Sequence, residues 1–166
     1  MKLSTLAVSS TLVALLGTAL TMTSTNALAA RAATAAPAIE YYPVAHPPTG
    51  MNLPFSEAVR VGDMLYLSGE VGTEKGKLVE GGIVAEAKQV MDNIGANLAR
   101  HDSSFDRVIL CTVALADIKD WSAFNEIYRG YFLKHFPARM AYAANGLALG
   151  ARVEVQCNAT TAAGVR

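Results

Sequence analysis

Residues 57–72 read EAVRVGDMLYLSGEVG. Apolar and polar side chains alternate on either side of Gly62-Asp63, the pattern of two antiparallel strands joined by a two-residue turn. The chain that follows supplies elements to cover such a hairpin. Residues 84–101, VAEAKQVMDNIGANLARH, place Ala87, Val90, Met91, Ile94 and Leu98 at helical spacing. Residues 107–117, RVILCTVALAD, are apolar and rich in β-branched side chains, the composition of a buried strand. Residues 122–136, SAFNEIYRGYFLKHF, set Phe124, Ile127, Tyr128, Tyr131 and Phe132 on one face of a second helix, which Asp120 or Ser122 can cap. RMAYAAN (139–145) and ARVEVQCNAT (151–160) read as two closing strands. The order ββαβαββ predicts an α+β domain, one mixed sheet with two helices packed on one face. The other face keeps apolar groups, and a further copy of the chain is their simplest cover.

The chain has 166 residues, of which 52% are hydrophobic, enough for one domain with a substantial core. Formal net charge is zero and no basic stripe stands out, so charge gives no reason to expect a nucleic-acid partner. Residues 1–30 join Lys2, an apolar run from Leu6 to Leu20 and a small-residue ALA at 27–29. That is the pattern of a cleaved secretory signal. Ser9, Ser10, Thr11, Gly17 and Thr18 dilute the run, which falls short of the ~20 apolar residues a membrane span needs. The expectation is an exported protein, periplasmic or secreted, with no stable membrane insertion after cleavage. Residues 31–39 read as a flexible leader, EYYPVAHPPTG (40–50) as extended or looped, and 40–163 as the folded domain.

Side chains alternate along a strand. Val153, Val155 and Cys157 share one side of the last strand, and the valine side belongs against the helices. Glu154 then points to the opposite face. If residues 139 to 154 form a hairpin-like pair, Arg139 lies near it. A guanidinium offers a planar fork that grips a carboxylate, and a glutamate can orient or deprotonate water. The pair reads either as a small-molecule site or as an ordinary interface salt bridge.

LPFSEAVRVGDMLYLSGEVG (53–72), FPAR (136–139) and GARVEV (150–155) resemble the reactive-intermediate deaminase (Rid) family, also called the YjgF group. The resemblance runs from about Leu53 to Ala159. It implies a chorismate-mutase-like fold, a homotrimer, and clefts between subunits that hydrolyse 2-imino acids and their enamine tautomers to 2-oxo acids and ammonia. It implies neither a metal nor an organic cofactor. Arg139 matches the family arginine that holds the substrate carboxylate, and Glu154 the glutamate that holds the attacking water. Gly69 matches a glycine whose backbone lines the site. Asn125 falls where many members carry asparagine, and supports the site or the trimer. The expected cleft takes Arg139 and Glu154 from one chain and the Phe55 segment from its neighbour.

Several positions depart from the family pattern. Phe55 replaces a tyrosine, Met140 a serine or threonine, and Glu70 a glutamine. Ala141 stands where cysteine is common, so only its backbone N–H can help bind a carboxylate. Leu147-Ala148 replaces a leucine-proline pair. Glu70 would repel an anionic substrate if it faces the cleft. These departures, with export, give weight to an alternative, a non-catalytic periplasmic small-molecule-binding or chaperone-like protein.

His46, His101 and His135 have no ligand spacing. His135 reads as a helix-end residue. GEVGTEKGK (69–77) lacks the ending of a phosphate loop and reads as a hairpin loop. Cys111 shares a strand face with Ile109, Val113 and Leu115, and Cys157 with Val153 and Val155. Both side chains then point towards the helices, and the reading favours two buried free thiols over a bridge, which needs Cα atoms about 5.5 Å apart.

Overall fold

The computed structural model describes residues 36–45 and 52–162. The expected signal segment, residues 31–35 of the leader and His46 lie outside the described residues. Among the described residues nine strands run in chain order: β1 (Ile39–Pro43), β2 (Ser56–Val61), β3 (Met64–Leu67), β4 (Glu70–Val71), β5 (Thr73–Glu74), β6 (Lys77–Leu78), β7 (Val108–Leu115), β8 (Ala138–Ala143) and β9 (Val153–Thr160). Helix α1 (Gly82–Arg100) lies between β6 and β7, and α2 (Trp121–Arg129) between β7 and β8. The main sheet has the order β1-β2-β3-β9-β7-β8, with β4 pairing β9 beyond the end of β3. It is mixed, since β7 and β8 run parallel and its other pairs antiparallel. The expected α+β order is present. The segment read as extended or looped after residue 40 contributes β1, which starts at Ile39 and pairs with β2.

The hairpin closes as its sequence indicates. Val61 pairs with Met64 across Gly62-Asp63, and Gly62 takes φ +58, a left-handed value that glycine adopts without strain. The glycine-rich loop forms the small β5–β6 hairpin, turning at Lys75 and Gly76, both with positive φ.

The predicted helix face forms the core. Ala87, Val90, Met91, Ile94 and Leu98 of α1 are fully buried, as are Val113, Leu115, Val153 and Val155 of the sheet. Each large side chain withdrawn from water contributes about 1.5–3 kcal/mol. In β9 buried residues alternate strictly with half-buried ones, so Val153, Val155 and Cys157 face the helices as expected. The same alternation in β7 is interrupted at Ile109. The ladder skips Ile109 between Val108 and Leu110, a bulge that leaves Ile109 exposed instead of sharing the face of Cys111.

Three further expectations change. Helix α2 stops at Arg129, so His135 does not end a helix. Past Gly130, tertiary contacts hold the chain. Tyr131 donates to Asp92 Oδ1 (2.7 Å) on α1, and Tyr131 and Phe132 each lie 5.3 Å from the Phe105 ring. Phe132 therefore stays buried without being helical. Asp120 does not cap α2 through its side chain; its carboxylate accepts from Arg152 Nε at 2.8 Å. Finally, Cys111 and Cys157 are not free thiols. They sit directly opposite each other in the β7–β9 ladder, Cα atoms 4.2 Å apart, and form a disulfide. Strand order decides this, because the β7–β9 pairing brings together two cysteines that lie 46 residues apart in the chain.

Candidate active site

Strand order also decides how the polar residues meet. β8 and β9 are not neighbours, because β7 lies between them. A β7–α2–β8 unit returns its second strand parallel beside the first, which excludes the hairpin-like pairing of residues 139 to 154. Arg139 pairs with Cys111 and stands level with Cys157, while Glu154 stands level with Ala114 and Tyr142. Two strand spacings and three residues put their Cα atoms roughly 14 Å apart. They also face opposite sides of the sheet. Arg139 shares the helix face, with its Cζ 4.7 Å from the centre of the Tyr128 ring and 6.0 Å from that of Phe124. Within one chain, Arg139 and Glu154 do not meet.

What the chain does assemble is a cleft of about 720 Å³ at the open edge of β4, beside α1. Phe55, Gly69, Glu70 and Glu154 line it, with Glu57 of β2 and Asn93, Asn97 and Arg100 of α1. Phe55, expected across a subunit boundary from Glu154, lines the same cleft of one chain with it, and Arg139 lies apart. Gly69 is required by close approach. A Cβ built there collides with Glu154 Oε1, so glycine leaves room for the carboxylate to lie across the backbone.

A polar chain behind the cleft was missed by sequence reasoning. Glu57 is buried and accepts from the Ala45 N–H (3.1 Å), from Arg100, whose Nη2 lies 2.9 Å away, and faces His101 Nε2 at 3.2 Å. Burial alone would push the Glu57 carboxyl up, but these donors together hold it below the usual range. Arg100 also donates to Asn97 Oδ1, and Asn97 Nδ2 donates to Glu70 Oε1 at 2.5 Å. Burial pushes the Glu70 carboxyl up; the Asn97 bond opposes this and the charges of Glu57 and Glu154 add to it. The sequence does hold a signal. Asn93, Asn97 and Arg100 recur at spacings of four and three beside the apolar stripe of α1, which makes a polar face turned inward.

The remaining expected residues lie with Arg139. β8 is an edge strand, and Ala141 follows Arg139 on the same face, packed against the core. Met140 and Tyr142 point to the open face. Asn125 is on α2, its Oδ1 buried without a hydrogen-bond partner, and so is the Tyr128 hydroxyl. Burial pushes the Tyr128 hydroxyl up to about 12, against the pull of Arg139. Arg139 has no carboxylate partner among the described residues. Among those residues no cluster of three His, Cys, Asp or Glu side chains could hold a metal ion.

The sequence model described as Endoribonuclease L-PSP matches residues 45–161, most of the chain and all of the cleft-lining residues except Val44. The chain belongs to the Rid (YjgF) family. Among relatives of this Rid protein, the 2-iminobutanoate/2-iminopropanoate deaminase of Capra hircus is 47% identical over 105 residues, 62% of this chain and 77% of the relative. The Homo sapiens protein of the same name is 44% identical over the same shares. Solved structures share the fold. Yeast Mmf1 is 30% identical with a TM-score of 0.68, covering 75% of this chain and 99% of that one. RidA from an Antarctic Psychrobacter is 31% identical with a TM-score of 0.63, covering 72% and 94%.

Proposed function

We propose that this Rid-family protein is a hydrolase that converts 2-imino and enamine acids to 2-oxo acids and ammonia, in clefts completed by two subunits. The observation that carries the reading is the separation of Arg139 from Glu154. One chain holds the Glu154 carboxylate in a cleft and, on a distant edge strand, a guanidinium with no carboxylate partner among the described residues. Each half lacks what the other offers. Arg139 and the Ala141 backbone of one copy, set beside the Phe55, Gly69 and Glu154 of another, make a complete site; Asn125 supports the arginine side. The open sheet face favours such assembly. Ile39, Tyr41, Tyr66, Leu110, Met140 and Tyr142 are all exposed there, and large apolar side chains grouped on one face favour burial against another copy. We infer a homotrimer.

In this site Arg139 holds the substrate carboxylate in two parallel hydrogen bonds. Glu154 of the neighbouring copy holds a water and takes its proton as the oxygen attacks the imine carbon. Glu154 passes that proton to the nitrogen, giving the neutral carbinolamine, then takes the hydroxyl proton and delivers it to the same nitrogen, so that the C–N bond breaks, ammonia leaves and the C–O bond becomes the carbonyl of the 2-oxo acid. No step calls for a metal or an organic cofactor. The names of the goat and human relatives support this chemistry. The disulfide supports export, since cystines persist in oxidising compartments.

The family description also names an endoribonuclease. Glu57, Glu70 and Glu154 line the cleft against Arg100 alone, which opposes a polyanionic substrate. The deciding assay is ammonia release from freshly generated 2-iminopropanoate. Acceleration by the protein supports the deaminase. Absence of turnover on any imino acid, with binding of the 2-oxo acid retained, favours the non-catalytic binding protein.

A further inference from the structure

Resting on that reading of the cleft, we propose that Glu70 couples ligand binding to protonation: a carboxylate-bearing ligand enters with uptake of a proton at Glu70, so affinity falls as pH rises. The geometry is a matter of which charges are already engaged. Glu70 lines the same cleft as Glu154, and its Oε1 accepts from Asn97 Nδ2. The Asn97 amide is turned this way because its Oδ1 accepts from Arg100. Arg100 in turn is engaged by Glu57, which also draws on His101 and the Ala45 N–H. The chain therefore ends with Glu57 fully partnered and Glu70 holding one neutral amide. Among the described residues no cation pairs with Glu70 or Glu154.

The groups facing Glu70 come from three elements. Glu57 on β2 and Glu154 on β9 repel its charge, while Asn97 and Arg100 on α1 favour it. Burial is the largest influence and disfavours the charged form. An incoming carboxylate adds a further negative charge to this wall. In the proposed assembly Arg139 of the partner copy stands in the cleft with or without a ligand, so the ligand's own charge is what changes, and the empty cleft and the filled one differ in proton affinity at Glu70. Linkage then fixes the sign. Below the Glu70 pKa of the empty cleft the group is already neutral and affinity is level. Above it, binding takes up a proton and affinity drops by up to about tenfold per pH unit, until the pKa of the filled cleft is passed.

The test is calorimetric titration of 2-oxobutanoate into the full assembled protein between about pH 5 and 8, in two buffers of different ionisation enthalpy, which reads proton uptake directly. Wild type should show proton uptake and an affinity that falls as pH rises within this range. Glu70→Gln, which keeps the amide contact to Asn97 and leaves Glu57, His101 and Glu154 in place, should show a level affinity that exceeds wild type at the alkaline end. Glu70→Asp should retain the slope. If Glu70→Gln binds with the slope and uptake of wild type, the coupling is not at Glu70 and the proposal falls while the cleft stands. If no form binds 2-oxobutanoate at any pH, the cleft assignment itself falls, and this inference with it.

Discussion

The carboxylate of Glu154 occupies the space where a side chain on Gly69 would begin. Gly69 does not have a positive φ, so its backbone accepts alanine without strain. A methyl group there acts only by displacing Glu154. Gly69→Ala should lower kcat by at least about tenfold, as a misplaced proton acceptor does, while the unfolding midpoint stays close to wild type. Steady-state kinetics on a generated imino acid, paired with circular dichroism melts, checks both halves.

Arg139 rests on the ring of Tyr128, not on an acid. The ring holds the guanidinium in place and leaves its donors free for a ligand. Tyr128→Phe keeps the ring and removes a buried hydroxyl that lacks a partner, so stability and KM should hold or improve slightly. Tyr128→Leu removes the ring, and KM should rise by about two- to fivefold, the worth of a partly exposed cation–π contact. Equal KM values for all three forms would mean that Tyr128 does not position Arg139.

How much of this was legible follows from range. The spacing of Ala87, Val90, Met91, Ile94 and Leu98 reports the buried side of α1 because helix periodicity is local. The alternation in β9 reports its two faces for the same reason. Which strand lies beside which is not local. Cys111 and Cys157 are 46 residues apart, and Arg139 reads as a neighbour of Glu154 only until β7 is placed between their strands. The end of α2 escapes because Tyr131 and Phe132 continue helical spacing while their packing on Asp92 and Phe105 draws them out of the helix. The polar chain through Glu57, Asn97 and Glu70 joins three elements, and so has no signature in any one segment beyond the inward polar stripe of α1.

The disulfide closes a long loop between adjacent core strands. Protein purified from an oxidising compartment should yield no free thiol to a titrating reagent under denaturing conditions. Reduction, or paired Cys111→Ala and Cys157→Ala replacement, should lower unfolding free energy by about 2–4 kcal/mol. Urea denaturation with and without reductant measures this. Two reactive thiols in protein from such a compartment would contradict the pairing.

Glu57 ties stability to acid. Its carboxyl sits below the usual range, against the effect of its burial, because the Ala45 N–H, Arg100 and His101 hold the charged form. A depressed carboxyl contributes stability that is present above its unfolded pKa and lost as pH falls through the folded one. Glu57→Gln should therefore cost about 1–3 kcal/mol at neutral pH, and the gap to wild type should close below the ordinary carboxylate range. Denaturation midpoints of both forms across that range test the sign.

The central claim is that Arg139 and Glu154 act in one site but come from different copies of the chain. In the proposed site Arg139→Ala would remove the carboxylate anchor and Glu154→Gln the proton acceptor, and each alone should lower turnover by about 100-fold or more. The two inactive proteins are then unfolded together, refolded as a mixture and assayed for ammonia release. If the site spans two subunits, random assortment sets an intact Arg139 against an intact Glu154 in about one cleft in four, and roughly a quarter of wild-type turnover returns. If both residues serve within one chain, every cleft in the mixture carries a defect, and turnover no greater than that of the separate variants would contradict the account.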